Sequence, residues 1–446
     1  MLDKIASLTQ KFSPGLRQVL SNIGWLVFSK FLELGLSLVV GVWVTRYLGP
    51  SQFGTLTYAI SFVGMFRFAS LKALQSLVVR DIARTPTSKN ETLGTTFILQ
   101  LAGGLITLLV ALGTIHWLQP NDSLTHWLVG IIAAGTLFNA FNTIDFWFQS
   151  QVQSKYTIIA RRLSYVFMVV IRIGLIQLQA PLIAFAWARL AEMVLGSIGL
   201  VIVYQNQGNQ IKSWQASWKR AKELLQEGWL LVAAGIAVYI YADIDRLMLG
   251  SMLLDKSELG FYAAAVKISR ILDLFPMTLA SSILPKLTEL KERNNQDYLD
   301  KIQVYFDIST LIWLASTIPV SLLSHQLVQI LYGSDFSEAG TLLSVYAWSQ
   351  FNACFGVARS TVLTIEKKLK FSLILTCMGA IINLILNYFL IPSYGAMGAT
   401  IATIITYFII IILMNFLIKE LRFIGIKIIR SMNLYAAISR IKKNIQ

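Results

Sequence analysis

Long apolar stretches alternate with short polar connections along the whole chain, and twelve of these stretches are long enough to span a bilayer. A helix needs roughly 20 residues to cross the hydrocarbon core of a membrane. The stretches cover about 20–44, 54–77, 94–117, 126–149, 157–178, 181–204, 228–250, 259–283, 303–325, 338–364, 370–391 and 395–418. The pattern predicts an all-α polytopic membrane protein with about 12 transmembrane helices, numbered below as spans one to twelve.

The basic residues are distributed unevenly over the connections between these spans. The N-terminal segment, the even-numbered connections and the C-terminal tail together hold 27 Lys and Arg, if Arg161, Arg162 and Lys370 at the starts of spans are counted with the connections before them, whereas the odd-numbered connections hold only Arg46 and Lys256. Lys and Arg accumulate on the cytoplasmic side of membrane proteins. The distribution therefore predicts that both termini are cytoplasmic and that the number of spans is even.

Composition narrows the class of protein further. Of the 446 residues, 55% are hydrophobic and 14% are charged, whereas about 25% are charged in a soluble protein. The low content of charged residues excludes a cytosolic enzyme. The net charge of +15 is explained better by basic cytoplasmic connections than by nucleic-acid binding. The three histidines and two cysteines are scattered, and the sequence holds no Gly-rich phosphate loop. We therefore expect no metal site and no cofactor.

The two halves of the chain resemble each other. Ser51–Ala59 aligns with Ser257–Ala265 at a constant offset of 206. Asn142 in span four, with the Phe before it, recurs as Asn352 in span ten. Two six-helix halves that enter the membrane from the same side are parallel repeats, related by an axis along the membrane normal. We therefore expect two six-helix bundles related by a pseudo-two-fold axis, which is typical of alternating-access transporters.

The predicted organisation follows from these spans. It comprises an N-terminal six-helix bundle (1–204), a cytoplasmic linker (205–227), a C-terminal six-helix bundle (228–418) and a basic cytoplasmic tail (419–446). The tail mixes Ile with Lys and Arg, so it forms either a helix on the cytoplasmic leaflet or a frayed basic end.

Five short motifs carry a resemblance to a known family. They are Arg46–Gly54 (RYLGPSQFG), Val78–Ala83 (VVRDIA), Leu259–Ala263 (LGFYA), Leu331–Phe336 (LYGSDF) and Leu390–Gly395 (LIPSYG). In these motifs the chain resembles the bacterial polysaccharide (O-antigen or exopolysaccharide) repeat-unit flippases of the multidrug/oligosaccharidyl-lipid/polysaccharide exporter superfamily. The resemblance implies a multi-pass protein of the bacterial inner membrane. It also implies that the protein moves undecaprenyl-diphosphate-linked oligosaccharide units from the cytoplasmic to the periplasmic leaflet.

Charged residues within the spans indicate the chemistry of the interior. The cations are Lys30, Arg67, Lys72, Arg172, Arg189, Arg246, Lys267, Arg270 and Arg359, and the acids are Glu33, Asp145, Glu192, Asp243, Asp245, Asp273 and Asp307. At the bilayer centre each charge costs at least about 2.5–3.5 kcal/mol unless it faces a partner or a water-filled cavity. The surplus of cations favours an interior that holds a diphosphate and acidic sugars.

Five of these cations are candidates for substrate binding: Lys30, Arg67, Lys72, Lys267 and Arg270. Arg67 and Lys72 have no acid within one helical turn, and Lys72 is an extra cation relative to the family pattern. Lys267 and Arg270 share a face of span eight, the repeat partner of span two. In related peptidoglycan-precursor flippases, basic residues on spans one, two and eight face the cavity. The resemblance therefore implies the same role for Lys30, Arg67 and Arg270.

The remaining charges allow structural or coupling roles. Opposite charges three residues apart favour ion pairs on one helical face, as in Lys30/Glu33, Arg189/Glu192, Asp243/Arg246 and Arg270/Asp273. Arg172 and Arg359 lie near span ends, where we expect their side chains to snorkel to the membrane surface. The candidates for ion coupling or gating are Glu33, Asp145, Asp243, Arg246 and Asp273, with H⁺ or Na⁺ as the ion. Asp145 with Asn142 is a candidate cation site, whereas Asn383 and Asn387 are expected to make helix–helix hydrogen bonds.

The sequence leaves three functions to compare. A lipid-linked oligosaccharide flippase that works by alternating access through a cationic cavity fits best, and it is not an enzyme. An ion-coupled multidrug exporter of the same fold needs an acid-rich cavity for organic cations. A membrane-embedded polysaccharide polymerase or glycosyltransferase needs a large periplasmic loop, whereas these connections are short. We expect a monomer that contacts membrane lipids, the undecaprenyl-diphosphate-linked glycan, and polysaccharide polymerases and glycosyltransferases, but no nucleic acid.

Overall fold

The computed structural model describes residues 14–67 and 74–445, and of residues 14–34, 36–38, 444 and 445 it describes the backbone alone. Within this part of the chain the protein consists of helices and short connections, which confirms the predicted all-α membrane fold. The α-helices are α1 (Pro14–Phe66), α2 (Gln75–Arg84), α3 (Lys89–Leu118), α4 (Ser123–Gly135), α5 (Asn142–Ser150), α6 (Lys155–Gln177), α7 (Leu182–Asn206), α8 (Trp218–Met252), α9 (Lys256–Ser269), α10 (Leu274–Arg293), α11 (Asn295–Leu322), α12 (Ser324–Tyr332), α13 (Ser337–Tyr346), α14 (Val357–Ile365), α15 (Leu369–Phe408), α16 (Met414–Leu417), α17 (Arg422–Ser431) and α18 (Leu434–Ile445).

Six helical segments within the described residues are long and apolar enough to cross a membrane. They are Pro86–Leu118, Ser123–Ser150, Leu182–Asn206, Trp218–Met252, Asn295–Leu322 and Leu369–Leu417. The last of these is 49 residues long and contains two of the predicted spans. The number of crossings and their orientation stay predictions.

Two long helices bend where the sequence predicts a connection. In α1 the bend is at Gly49, with φ of 68°, and in α15 it is at Gly395, with φ of 54°. Glycine adopts this left-handed conformation without the steric penalty that a Cβ atom imposes. Pro50 follows the first bend and Pro392 precedes the second. Each pair of predicted spans is therefore joined through a kink rather than a loop.

Several predicted spans contain a stretch of irregular helix. Span four changes to a 3₁₀-helix over Thr136–Phe141, and span eight does so over Arg270–Asp273. Span ten changes to a 3₁₀-helix at Ala347–Ser349 and to a π-helix at Asn352–Gly356. Such stretches leave backbone groups outside the regular α-helical ladder, and they are frequent at functional sites. The irregular stretches of spans four and ten coincide with the repeated Phe-Asn pair.

The described helices form two compact units. The first comprises Met1–Tyr47 and Phe66–Val232, and the second comprises Leu48–Met65 and Ala233–Gln446. The first part of span two therefore belongs to the second unit. The predicted boundaries of the two six-helix bundles stay predictions.

Each unit has an aromatic core around its member of the repeated Phe-Asn pair. In the first unit Phe141 packs edge-on against Phe97, with 5.3 Å between ring centroids. In the second unit Phe351 stacks on Phe408 at 4.4 Å and contacts Phe355 at 4.7 Å. Aromatic pairs of this kind contribute about 0.5–1.5 kcal/mol each beyond the area that they bury. The rings hold the irregular stretches of spans four and ten in place.

The basic tail is helical and packs against the second unit. Arg440 of α18 donates two hydrogen bonds of 2.7 Å to Asp307 of α11, whose side chain is fully buried. This hydrogen bond to the carboxylate raises the pKa of Arg440 above its ordinary value. Ser431 of α17 lies 2.8 Å from the hydroxyl of Thr310. The tail is therefore anchored to α11 rather than frayed, and its contact with the leaflet stays a prediction.

Candidate functional site

The start of span two crosses the start of span eight at two glycines that the internal repeat relates. A Cβ atom on Gly54 would lie 1.8 Å from the carbonyl oxygen of Lys256, and one on Gly260 would lie 2.1 Å from that of Pro50. Pro50 and Lys256 are themselves separated by the repeat offset of 206. The two contacts are therefore equivalent, and no larger residue fits at either position.

The second unit contains a polar cavity of about 320 Å³, called here the C-terminal cavity. Its polar lining includes Tyr241, Arg270, Asp273, Tyr346, Gln350, Asn352, Arg359 and Tyr407. The irregular stretches of spans eight and ten both contribute to this lining. Two guanidinium groups and one carboxylate give it a surplus of positive charge.

Arg270 and Asp273 both line the C-terminal cavity, but each has another partner. Arg270 donates a hydrogen bond of 2.9 Å to the carbonyl oxygen of Ala242. Asp273 accepts one of 3.0 Å from Gln350, which also donates to the carbonyl oxygen of Ser269 at 2.7 Å. The ion pair that their spacing predicts does not form, because the 3₁₀ turn offers each side chain a closer partner. Arg270 therefore presents its charge to the cavity.

Arg359 does not snorkel, contrary to our expectation. Its side chain is buried and donates a hydrogen bond of 2.7 Å to the carbonyl oxygen of Ile410. Ile410 lies in the π-helix Ile409–Leu413, where the irregular backbone leaves carbonyl groups to be satisfied. Arg359 therefore links span ten to span twelve and adds a second guanidinium to the C-terminal cavity.

Lys267 is not among the residues that line the C-terminal cavity with Arg270. It is half-buried at the end of α9, and its ammonium lies 6.0 Å from the centre of the Phe53 ring. A cation at this distance from an aromatic face is attracted by the ring quadrupole. The two cations of span eight thus have different surroundings.

The predicted ion pair between Asp243 and Arg246 is confirmed at 2.5 Å. Asp245, which lies next to Arg246 in the sequence, is buried, and among the described side chains it accepts hydrogen bonds only from neutral groups. The donors are the hydroxyl of Tyr262 (2.7 Å), the amide of Asn387 (2.6 Å) and the hydroxyl of Thr403 (2.8 Å). A buried carboxylate without a cationic partner is costly, so Asp245 is a candidate ligand for a cation.

Asn387 links this network to Asn383, to which it donates a hydrogen bond of 3.0 Å. The predicted helix–helix hydrogen bond is therefore present, but its target is Asp245 of α8. Sequence reasoning did not select Asp245, because the neighbouring Asp243/Arg246 pair accounted for the charges of that segment. The sequence signal that could have indicated this network is the presence of polar residues in two otherwise apolar spans, namely Asn383, Asn387 and Thr403 in spans eleven and twelve.

Asp145 in the first unit has a full set of protein partners. It accepts hydrogen bonds from Thr157 (2.6 Å) and Gln149 (3.1 Å) and forms an ion pair of 3.1 Å with Arg161. Arg161 also donates to Asn142 at 2.8 Å. The guanidinium therefore takes the place between Asp145 and Asn142 where a bound cation would have to sit.

The first unit contains a cavity of about 560 Å³, called here the N-terminal cavity. Its polar lining includes Asn139, Asn142, Arg161, Arg162, Tyr165 and Glu192. Sequence reasoning assigned Arg161 and Arg162 to a cytoplasmic connection and therefore missed them. Asn142 lines this cavity as Asn352 lines the C-terminal one, so the repeated Phe-Asn pair marks a cavity in each unit.

Glu192 pairs with Arg172 of α6 and not with Arg189, which we expected to be its partner. Arg172 therefore has a partner within the unit and does not snorkel. Arg67 also belongs to the first unit. The side chains of Lys30 and Glu33 and the whole of Lys72 lie outside the described part of the chain.

Comparison with protein families places the chain among known transporters. The family described as polysaccharide biosynthesis protein matches residues 19–291, and the MatE family matches residues 231–389. The chain is 27% identical to the probable low-salt glycan biosynthesis flippase Agl15 of Haloferax volcanii over 43% of its length, which spans 40% of that protein. It is 21% identical to a candidate O-antigen transporter of Shigella flexneri over 86% of its length and 94% of that protein.

Solved structures show the same fold at low sequence identity. An inward-facing multidrug resistance MATE transporter of the MOP superfamily superimposes with a TM-score of 0.68 at 17% identity, over 91% of this chain and 95% of that one. The lipid II flippase MurJ in an inward closed conformation gives a TM-score of 0.68 at 14% identity, over 91% and 90% of the two chains. With a family match over more than half of its length, the chain belongs to the polysaccharide biosynthesis family of multi-pass membrane transporters.

Proposed function

We propose that the protein is a flippase for undecaprenyl-diphosphate-linked oligosaccharides, moving them from the cytoplasmic to the periplasmic leaflet by alternating access. The observation that carries the proposal is the positive charge of the C-terminal cavity. Arg270 and Arg359 line this cavity with Asp273 as its one carboxylate, and Arg161 and Arg162 are among the residues that line the N-terminal one. A diphosphate and acidic sugars complement such linings. The glycan flippases and O-antigen transporters among the relatives support the same substrate class.

The side chains support binding that is reversible. Arg270 uses one nitrogen for the carbonyl oxygen of Ala242, so its remaining N–H groups are left for phosphate or sugar oxygens. Tyr346, Gln350 and Asn352 add polar groups that suit hydroxyls. A transporter must release its cargo, so moderate attraction shared among several groups serves better than one very tight contact.

The five cations selected from the sequence keep their proposed roles in this account. Lys30, Arg67, Lys72, Lys267 and Arg270 attract the anionic substrate towards the interior. The polyprenyl tail remains in the lipid, where its apolar surface is most stable. Glycosyltransferases that build the lipid-linked unit and a polymerase that consumes it are the proposed partners of a monomeric transporter.

We infer that Asp245 and its neighbours bind the coupling ion, either H⁺ or Na⁺. Carboxylate, amide and hydroxyl oxygens are hard ligands of the kind that Na⁺ accepts, and the carboxylate is the group that would carry a transported proton. The amide oxygen of Asn387 is buried and has no hydrogen-bond partner among the described residues. Turning this amide brings its oxygen towards Asp245. The ion would then replace the hydrogen bond that now links Asn387 to Asp245.

An ion-coupled multidrug exporter is the second candidate function. It is favoured by the MatE match over residues 231–389, which contains the buried Asp245. Such an exporter holds organic cations and so needs acids in its cavity, whereas the C-terminal cavity here has two arginines and one carboxylate. Resistance to ethidium in a drug-sensitive strain separates the two functions, because only an exporter of cations raises it.

Restoration of surface polysaccharide in a flippase-deficient strain tests the proposal. The wild-type chain should restore it, Arg67→Lys should retain part of the activity, and Arg67→Ala and Arg270→Ala should abolish it at normal membrane levels. Arg293→Ala is the matched control, because Arg293 pairs with Glu289 on an exposed helix surface at 2.8 Å. Full activity of both alanine variants would show that these cations are structural.

A further inference from the structure

The tail helices α17 and α18 lie alongside the predicted cytoplasmic end of span nine. Gln303 of α11 donates a hydrogen bond of 3.0 Å to the carbonyl oxygen of Lys427, and Thr310 of α11 donates one of 2.8 Å to the hydroxyl of Ser431. Gln303 and Thr310 both belong to predicted span nine, and they are roughly 10 Å apart along the helix axis. Because α11 is long and apolar enough to cross a membrane, α17 lies at the depth of the membrane surface.

Both sides of these two helices are apolar. Ile424 and Ile428 of α17 are buried in the core of the second unit, and Ala437 of α18 is also buried. The side chains that the helices expose are nevertheless largely apolar. The large apolar residues among them are Ile426, Ile429, Leu434, Tyr435 and Ile438. A helix with a water-exposed side carries polar residues there. The exposed side of α17 and α18 therefore suits an apolar environment and not bulk water.

Basic residues accompany the exposed apolar side chains. Residues 419–446 contain seven Lys and Arg against one acid, Glu420. Lys442 lies four positions after Ile438, and Lys443 lies eight positions after Tyr435, so each lysine shares a helical face with an exposed apolar residue. Both lysines are exposed, and Tyr435 is 88% exposed. A helix face of this composition fits the boundary between acyl chains and anionic headgroups.

The position of α18 is fixed by the protein. Arg440 donates two hydrogen bonds of 2.7 Å to the fully buried carboxylate of Asp307 in α11. The amphipathic helix is therefore held at the end of span nine and presents the same side outwards whether or not lipid is bound.

We propose that the exposed side of α17 and α18 binds anionic phospholipids of the cytoplasmic leaflet. This surface, called here the tail surface, comprises the five exposed apolar residues named above together with Lys442 and Lys443. The apolar side chains enter the boundary of the acyl chains, and the two ammonium groups approach the lipid phosphates. No residue of either cavity takes part, so the inference is independent of the transported substrate.

Quenching by spin-labelled lipid tests the tail surface in the full-length protein. Tyr435→Cys, in a Cys354→Ser/Cys377→Ser background, is labelled with a nitrobenzoxadiazole maleimide and placed in nanodiscs of 70% phosphatidylcholine and 30% phosphatidylglycerol. A tenth of the lipid carries a nitroxide, either on phosphatidylcholine or on phosphatidylglycerol, so that the charge of the bilayer is the same in both samples. Lys212→Cys in the predicted cytoplasmic linker is the reference site.

We expect strong quenching at position 435 and little at position 212. Labelled phosphatidylglycerol should quench position 435 about twofold more than labelled phosphatidylcholine. Lys442→Gln/Lys443→Gln should abolish this preference and leave the quenching by phosphatidylcholine unchanged. The matched control is Lys286→Gln/Arg293→Gln, which removes two exposed cations that pair with Glu289 of α10 and should keep the preference.

Quenching at position 435 as weak as at position 212 would overturn the proposal and leave the tail surface to a soluble partner protein. Equal quenching by the two lipids before the lysines are changed would contradict the anionic preference. Loss of the preference in the control variant as well would assign it to the net charge of the protein, and the tail surface would again be overturned.

Discussion

Gly54 and Gly260 occupy equivalent positions in the two halves of the chain, and each faces a backbone carbonyl of the other's helix. A Cβ atom at Gly54 would come within 1.8 Å of a carbonyl oxygen, far inside van der Waals contact. At this crossing the backbones of α1 and α9 therefore come into direct contact.

Gly54→Ala or Gly260→Ala should force the two helices apart. Overpacking of this kind costs about 1–3 kcal/mol, and we expect transport to fall below about a tenth of wild type. The readout is surface polysaccharide at matched membrane levels. Gly113→Ala is the control, because an added Cβ there meets no atom within 4 Å. Normal transport by either crossing variant would show that the contact is not needed.

The helical membrane fold could be predicted from the sequence, because apolar length is a local property. The partners of the charges could not. Glu192 pairs with a residue 20 positions away on another helix, whereas its spacing pointed to Arg189. Arg359 donates a hydrogen bond to the carbonyl oxygen of Ile410, which a π-helix leaves outside the regular helical ladder. No pattern in the sequence predicts that π-helix.

The cavities were also only partly predictable. Asn142 and Asn352 were recognised as a repeated pair, but the irregular helices beside them depend on packing around Phe141 and Phe351. Arg161 lies shortly after a cytoplasmic connection in the sequence. We therefore interpreted it as one of the basic residues that set the orientation in the membrane, and not as part of a cavity.

Arg440→Ala should destabilise the second unit. Asp307 is fully buried, so removing its partner leaves an unpaired charge at a cost of about 3 kcal/mol. Thermal unfolding in detergent should show a lower transition temperature. The double variant Arg440→Met/Asp307→Leu should recover much of the loss, because no charge then remains buried. A single variant as stable as the wild type would show that the tail helix contributes little.

Asp245→Asn should abolish the dependence of transport on an ion gradient. The amide keeps the size of the carboxylate but carries no charge for H⁺ or Na⁺ to neutralise. Transport in vesicles is measured with and without an imposed Na⁺ or pH gradient, and Asp335→Asn in an exposed turn is the control. Undiminished stimulation by the gradient in Asp245→Asn would place the coupling site elsewhere.

The predicted orientation places Asn121, Asp335 and Ser393 in the periplasm, and all three are exposed. Single cysteines at these positions, in a Cys354→Ser/Cys377→Ser background, should react with an impermeant maleimide in intact spheroplasts. Lys212→Cys in the predicted cytoplasmic linker should be protected. Protection of all three periplasmic positions would contradict the twelve-span topology.

Translocation in proteoliposomes tests the central claim most directly. A fluorescent oligosaccharide linked to a polyprenyl diphosphate is placed in both leaflets, and its exposure to an external quencher is followed over time. The account predicts rapid exchange with the wild type, no acceleration for the same glycan on a neutral lipid, and loss of exchange in Arg270→Ala. Exchange no faster than in protein-free vesicles, or equally fast in Arg270→Ala, would contradict a flippase with a cationic interior.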